Sequence, residues 1–121
     1  MFKVIGTAPR IDILFETTNH KSHINFTRTD VVSVGRAKDN IIRLTHDFVS
    51  NYHGAFYKIN NQWFYEDFSR QNVGSILFRK NKKFPFHKKR VPVFQNYKIL
   101  IEFNQGKRSY FFRYVLTLTK I

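Results

Sequence analysis

Residues 34–75 read VGRAKDNIIRLTHDFVSNYHGAFYKINNQWFYEDFSRQNVGS, and the fold is decided there. Apolar runs of strand length (Ile41 to Leu44, Gly54 to Ile59, Gln62 to Asp67) are separated by three polar clusters. The clusters are Gly35-Arg36 with Asn40, Ser50-Asn51-Tyr52-His53-Gly54, and Ser69 through Asn72 to Gly74-Ser75. Asn60-Asn61 has the composition of a two-residue hairpin loop, because asparagine tolerates positive φ better than other residues with a Cβ. A chain that turns back on itself this often folds as a sheet and gathers alternate turns at one end.

Working outward, the same pattern continues. Ile11 to Phe15, His23 to Thr27, Val31 to Val34, Ser75 to Arg79, Tyr97 to Phe103 and Tyr110 to Lys120 read as strands. Phe2 to Ile5 is a further short apolar run, and Gln105-Gly106 reads as a turn. No segment sustains a 3.6-residue period with caps, so no helix is expected. About eleven short strands with short turns predict an all-β, antiparallel β-sandwich that can bring its polar turns together at one end. Ile13, Phe26, Val32, Ile42, Phe56, Trp63, Tyr65, Leu100, Phe112 and Leu116 are the expected core.

The 121 residues fit a single domain, 1–121, and the 42% hydrophobic content is enough to offset chain entropy. With no cysteine, disulfides and thiolate metal sites are excluded. His46, His53 and His87 lack a metal-binding spacing, and no glycine-rich phosphate loop is present. Ser50, His53 and Asp67 suggest a triad only by residue type, since no nucleophile elbow surrounds Ser50. The expectation is a non-enzyme without metal or cofactor. No signal peptide or membrane-spanning run is read in the sequence, which predicts a cytoplasmic protein, or a nuclear one if eukaryotic.

Gly35-Arg36, Asn40-Ile41, Ser50-x-x-His53, Asp67-x-Ser69 and Asn72-x-Gly74-Ser75, in this order and with these gaps, resemble the forkhead-associated (FHA) domain. The resemblance implies an eleven-strand β-sandwich whose loops bind phosphothreonine in a partner peptide. Arg36 and Ser50 would hold the phosphate, Asn51 would assist, and Gln71 and Asn72 would touch the peptide. Gly35 and His53 would support the site from within. The chemistry is consistent: a phosphothreonine carries roughly −1.5 to −2 charge and three acceptor oxygens, and arginine offers a planar fork of donors. Pairing of Arg36 with Asp47 or Glu66 is the alternative use of its charge. The family has Asn-Gly-Thr where this chain reads Asn72-Val73-Gly74-Ser75. Either the turn is one residue longer or Gly74 carries the kink.

A net charge of +13 attracts polyanions in general. Arg79, Lys80, Lys82, Lys83, Lys88, Lys89 and Arg90 lie in one basic stretch, read as a solvated loop between strands. Its sharper readings are an electrostatic platform for nucleic acid or another polyanion, with Phe84 and Phe86 stacking on bases, and a steering patch for acidic phosphopeptides. Loss of phosphate dependence, leaving an FHA scaffold used for assembly, is a third reading.

Overall fold

A computed structural model of the chain describes residues 10–17, 20–27, 31–70, 74–104 and 111–120. The strands are β1 (Arg10–Thr17), β2 (His20–Thr27), β3 (Val31–Gly35), β4 (Ile42–Arg43), β5 (Gly54–Ile59) and β6 (Gln62–Asp67), followed by β7 (Ser75–Arg79), β8 (Lys82–Phe86), β9 (Arg90–Pro92), β10 (Lys98–Asn104) and β11 (Phe111–Lys120). They form a six-stranded sheet, β2-β1-β11-β10-β7-β8, and a five-stranded sheet, β4-β3-β5-β6-β9. No helix occurs among the described residues, hence none long and apolar enough to cross a membrane.

Alternation along the strands builds the core. Val32 and Val34 of β3, Phe56 of β5 and Trp63 and Tyr65 of β6 point inward from one sheet. Ile13, Leu77, Ile99, Ile101, Tyr114, Leu116 and Leu118 meet them from the other. Phe56 and Tyr65 pack edge to face at 4.9 Å between ring centroids. Of the expected core, Leu100 is buried but faces out of the sandwich, where it floors a groove with Phe78 and Val115. The side chains of Phe26 and Phe112 lie outside the described residues, as do Phe2 to Ile5 and Gln105-Gly106.

Two expectations change. The sandwich is not wholly antiparallel, because β4 runs parallel to β3, pairing Val34 with Ile42. The six residues 36–41 are enough to bring the chain back, since β4 is only two residues long and Leu44 N–H donates to Gly35 O. The basic stretch is also not a loop. Lys82–Phe86 forms β8, hydrogen-bonded to β7 through a turn in which Lys80 and Asn81 both have positive φ. Lysines and Pro85 conceal strand character in the sequence, yet they suit an edge strand, where charge and proline discourage pairing with another chain.

At one end of the sandwich the β3–β4 loop (36–41), the β4–β5 loop (44–53), the start of the β6–β7 loop (68–70) and the β8–β9 turn (87–89) come together. The register places Gly54 beside both Val34 and Asp67, and Ser75 beside Phe86.

Candidate functional site

Gly35 ends β3 where the chain passes against the β4–β5 loop. Its φ is not in the left-handed region; space is what requires glycine. A Cβ there would strike the Asn51 carbonyl oxygen and come within 2.9 Å of Asn40 Nδ2. Two main-chain bonds hold the loops at this approach, Arg36 N–H to Ser50 O at 3.0 Å and Ala37 N–H to Asn51 O at 3.1 Å. Asn40, almost wholly buried, staples them from its side chain: Nδ2 donates to Asn51 O (2.8 Å) and to Ala37 O (2.9 Å). Its Oδ1 is buried without a partner among the described residues.

Arg36 is half-buried, and its Nε donates to Val49 O at 2.9 Å. That bond fixes the guanidinium plane while the outer nitrogens keep no hydrogen-bond or ion-pair partner among the described residues. Neither Asp47 nor Glu66 pairs with it there. Arg43 braces the turn from outside by donating Nε to Arg36 O at 2.9 Å.

Ser50 sits across from Arg36. Its Oγ accepts the Arg70 N–H at 3.1 Å, which ties the β4–β5 loop to the β6–β7 loop. With the oxygen so engaged, the hydroxyl proton remains available to donate. Asn51 is exposed, and its carbonyl is committed to Ala37 and Asn40. Gln71 and Asn72 lie outside the described residues. Gly74, beyond them, has a φ of +66°, so a left-handed residue does occur in this turn, at the glycine.

His53 is fully buried and joins the two loops from below. Its Nδ1 lies 3.1 Å from the Ser50 N–H and its Nε2 lies 2.8 Å from Gly74 O. A donor at one nitrogen and an acceptor at the other select a single neutral tautomer, protonated on Nε2. Burial holds the His53 pKa below the ordinary 6.5, outweighing the Gly74 hydrogen bond and the nearby Asp67 charge, which act the other way.

Beneath His53 lies a buried polar network that the sequence showed only as turn formers. Asp67 Oδ1 accepts from Ser69 N–H (2.8 Å) and Ser69 Oγ (2.6 Å), and its Oδ2 accepts from Ser75 Oγ (2.6 Å). Ser75 having donated to the carboxylate, Tyr65 must be the donor in the 3.1 Å Tyr65–Ser75 contact. Full burial pushes the Tyr65 phenol well above its ordinary range. The Asp67-x-Ser69 spacing was the one available signal, and it marked only the local half of the network. On the outside, Tyr52 spans the loops by donating to the Asp39 carboxylate at 3.0 Å. That contact raises the Tyr52 pKa, hydrogen bonding and charge acting together.

The basic stretch divides in space. Arg79, Lys80 and Lys82 cluster at the far end of the β7–β8 hairpin, with the Arg79 guanidinium 5.2 Å from the Phe84 ring and 5.7 Å from Tyr97. Lys83 pairs with Glu102 at 3.1 Å, which also holds Arg113. Arg90 lies over Phe64 on the outer face of the other sheet. Only Lys88 and Lys89 reach the loop end. No group of three or more potential metal ligands occurs among the described residues.

No curated protein matches the chain in sequence. Solved structures match its fold. The N-terminal FHA domain of S. cerevisiae Rad53p, solved with a phosphothreonine peptide, superposes with a TM-score of 0.64 at 15% identity, covering 89% of this chain and 94% of that one. An FHA domain of an Arabidopsis thaliana protein gives 0.64 at 15% identity, covering 93% and 87%. The FHA2 domain of yeast Rad53, solved with a phosphotyrosyl peptide derived from Rad9, gives 0.63 at 8%, covering 93% and 79%. The family model of the FHA domain matches residues 32–90, from β3 through the start of β9. That match lies inside a sandwich whose fold is the one these solved FHA domains share.

Proposed function

We propose that this domain recognises phosphothreonine in a protein partner and does no chemistry on it. The observation that carries the reading is the main-chain bond from Arg36 N–H to Ser50 O, which holds the two residues side by side. One has its guanidinium aimed by Val49 O, the other has its oxygen filled by Arg70 N–H, and each keeps donors in hand. A phosphate dianion accepts from both, and charge-assisted bonds of this kind are the strong ones. Asn51 would add its side-chain amide from the same loop. Gln71 and Asn72 would hold the peptide main chain, and a small apolar pocket for the γ-methyl group would favour threonine over serine. Gly35 and His53 keep the two loops in register. Solved FHA domains that carry phosphopeptides support this use of the fold.

Nucleic acid is the less favoured partner, because the stretch that would bind it is dispersed over two ends and two sheets. The test is fluorescence anisotropy with an oriented phosphothreonine peptide library, with phosphotyrosine and phosphatase-treated peptides as comparators. Wild type is expected to bind only the phosphorylated peptides and to favour phosphothreonine. Arg36→Ala is expected to lose about 2–5 kcal/mol, roughly thirty- to several-thousand-fold in affinity. Equal binding by Arg36→Ala, or binding that survives the phosphatase, would overturn the proposal.

A further inference from the structure

At the far end of the β7–β8 hairpin the Arg79 guanidinium lies over two rings, 5.2 Å from Phe84 and 5.7 Å from Tyr97. Tyr97 in turn meets Phe94 edge to face at 5.4 Å. The row Phe84, Arg79, Tyr97, Phe94 thus joins β8, β7 and the connection from β9 to β10. That connection is fastened by its main chain: Val93 N–H donates to Trp63 O at 3.0 Å, Asn96 N–H to Leu118 O at 2.7 Å and Tyr97 N–H to Phe94 O at 3.1 Å. The row opens to solvent at both ends, where Phe84 is 41% and Phe94 48% exposed. Phe86 is not part of it, because it packs edge to face on Tyr65 at 5.9 Å and against the core.

Charge completes the surface. Lys80 and Lys82 are exposed beside Arg79, and none of the three is ion-paired among the described residues. No aspartate or glutamate occurs between Asp67 and Glu102, the interval that holds β7, β8, β9 and the connection to β10. Glu102 itself is taken up by Lys83 and Arg113. Asp12, toward the same end of the sheet, stands on β1, separated from β7 by β11 and β10, and Asp30 lies outside the described residues. Cations without acids select a polyanion, and exposed rings among them select one with flat apolar faces. A lipid surface fits poorly, since the hairpin tip is Lys80-Asn81 and Phe84 lies behind it, paired with Leu77 in mid-strand. An added peptide strand would meet Pro85 on the β8 edge, which has no N–H to donate. Unpaired bases offer a π face and a phosphate at every nucleotide.

We propose that this platform binds single-stranded nucleic acid, with bases stacked on Phe84 and Phe94 and phosphates paired with Arg79, Lys80 and Lys82. The dispersal that weighs against the basic stretch as a whole does not touch this part of it, which gains Tyr97 and Phe94 from outside the stretch. The ring faces of Phe84 and Tyr97 hold Arg79 in place before a strand arrives. The platform stands at the other end of the sandwich from Arg36 and Ser50, so the two sites can be filled together.

The test is fluorescence anisotropy with a labelled single strand of about twelve nucleotides, as DNA and as RNA. A duplex of the same length, polyglutamate and phosphatidylserine vesicles are the comparators. Wild type is expected to prefer the single strand to the duplex by about five-fold or more, with log K falling against log salt at a slope of about −2 for three phosphates. Phe84→Leu/Phe94→Leu keeps the apolar bulk and every charge, and should weaken single-strand binding about ten- to hundred-fold. Lys80→Gln/Lys82→Gln should reduce the slope to about −0.7. Should the leucine variant unfold at a lower urea concentration than wild type, the lysine variant, altered only at exposed side chains, decides by its slope. Arg36→Ala should bind the oligonucleotide as wild type does, and a saturating phosphothreonine peptide should not displace it. No single-strand binding by wild type, equal affinity for the duplex, undiminished affinity in a folded leucine variant, an unchanged slope in the lysine variant, or loss of binding in Arg36→Ala overturns the platform. Binding of vesicles or polyglutamate in place of the oligonucleotide gives the surface to that partner and overturns it as well.

Discussion

His53 is neutral because its two neighbours require it to be. Protonating Nδ1 would set a positive donor against the Ser50 N–H, and the loop that carries Ser50 would lose its internal brace. Burial lowers the His53 pKa in the folded protein, so between that depressed value and 6.5 the unfolded chain binds more protons than the folded one. Stability from this residue is therefore complete above pH 6.5 and declines as pH falls below it. Urea midpoints measured from pH 8 to pH 5 should fall on the acid side, and the fall should be shallower in His53→Gln, which cannot titrate. Truncation acts differently. His53→Ala leaves a cavity and strands Ser50 N–H and Gly74 O, at a cost of about 2–4 kcal/mol independent of this titration. A flat wild-type profile in that range would exclude His53 as the titrating group.

At the scale of the element, the β5–β6 hairpin shows what the sequence made legible. Asn60-Asn61 has the composition of its two-residue loop, and both residues have positive φ, 50° and 70°. Asn60→Val tests backbone conformation against strand propensity. Valine is the better strand former, yet a β-branched side chain in the left-handed region costs about 1–2 kcal/mol, so the variant should be destabilised. Asn60→Gly should change stability by less than 0.5 kcal/mol. Chemical denaturation decides between them, and a stabilised Asn60→Val would mean that propensity outweighs backbone strain here. The turn at Lys80-Asn81 adopts the same conformation but carries no such signal, since lysine is not a turn residue. That turn, with the lysines and Pro85, hides β8 from a reading of the sequence. The site divides along the same line. Arg36, Ser50 and His53 stand out in the sequence because their spacing resembles the family's, and hydrogen bonds link the three in space, Arg36 N–H to Ser50 O and Ser50 N–H to His53 Nδ1. The Ser75 half of the Asp67 network and the Arg70–Ser50 bond do not, because they join residues 8 and 20 positions apart, and no local pattern records such a partner.

Charge is the property of the whole molecule that bears on binding. Among 21 Lys and Arg against 8 Asp and Glu, several acids are engaged internally: Asp67 in its buried network, Glu102 with Lys83 and Arg113, Glu66 with Tyr57 and Asp39 with Tyr52. The unbalanced cations face solvent at both ends of the sandwich. Their effects should separate by distance and by salt. A five-residue strand such as β7 spans roughly 17 Å, so Lys80 and Lys82 lie about that far from the loop end. The Debye length is about 30 Å at 10 mM salt and about 8 Å at 150 mM, so the far cations act on an approaching anionic peptide only in the first condition. Lys80→Glu/Lys82→Glu should slow association several-fold at 10 mM salt, leave it unchanged at 150 mM, and leave dissociation alone in both. Arg36→Ala should instead speed dissociation at either salt, because it removes a bond made only in the complex. Stopped-flow association and competition off-rates would resolve the two. A faster off-rate in the far-end variant would place those lysines in the bound interface and contradict the division of the basic stretch.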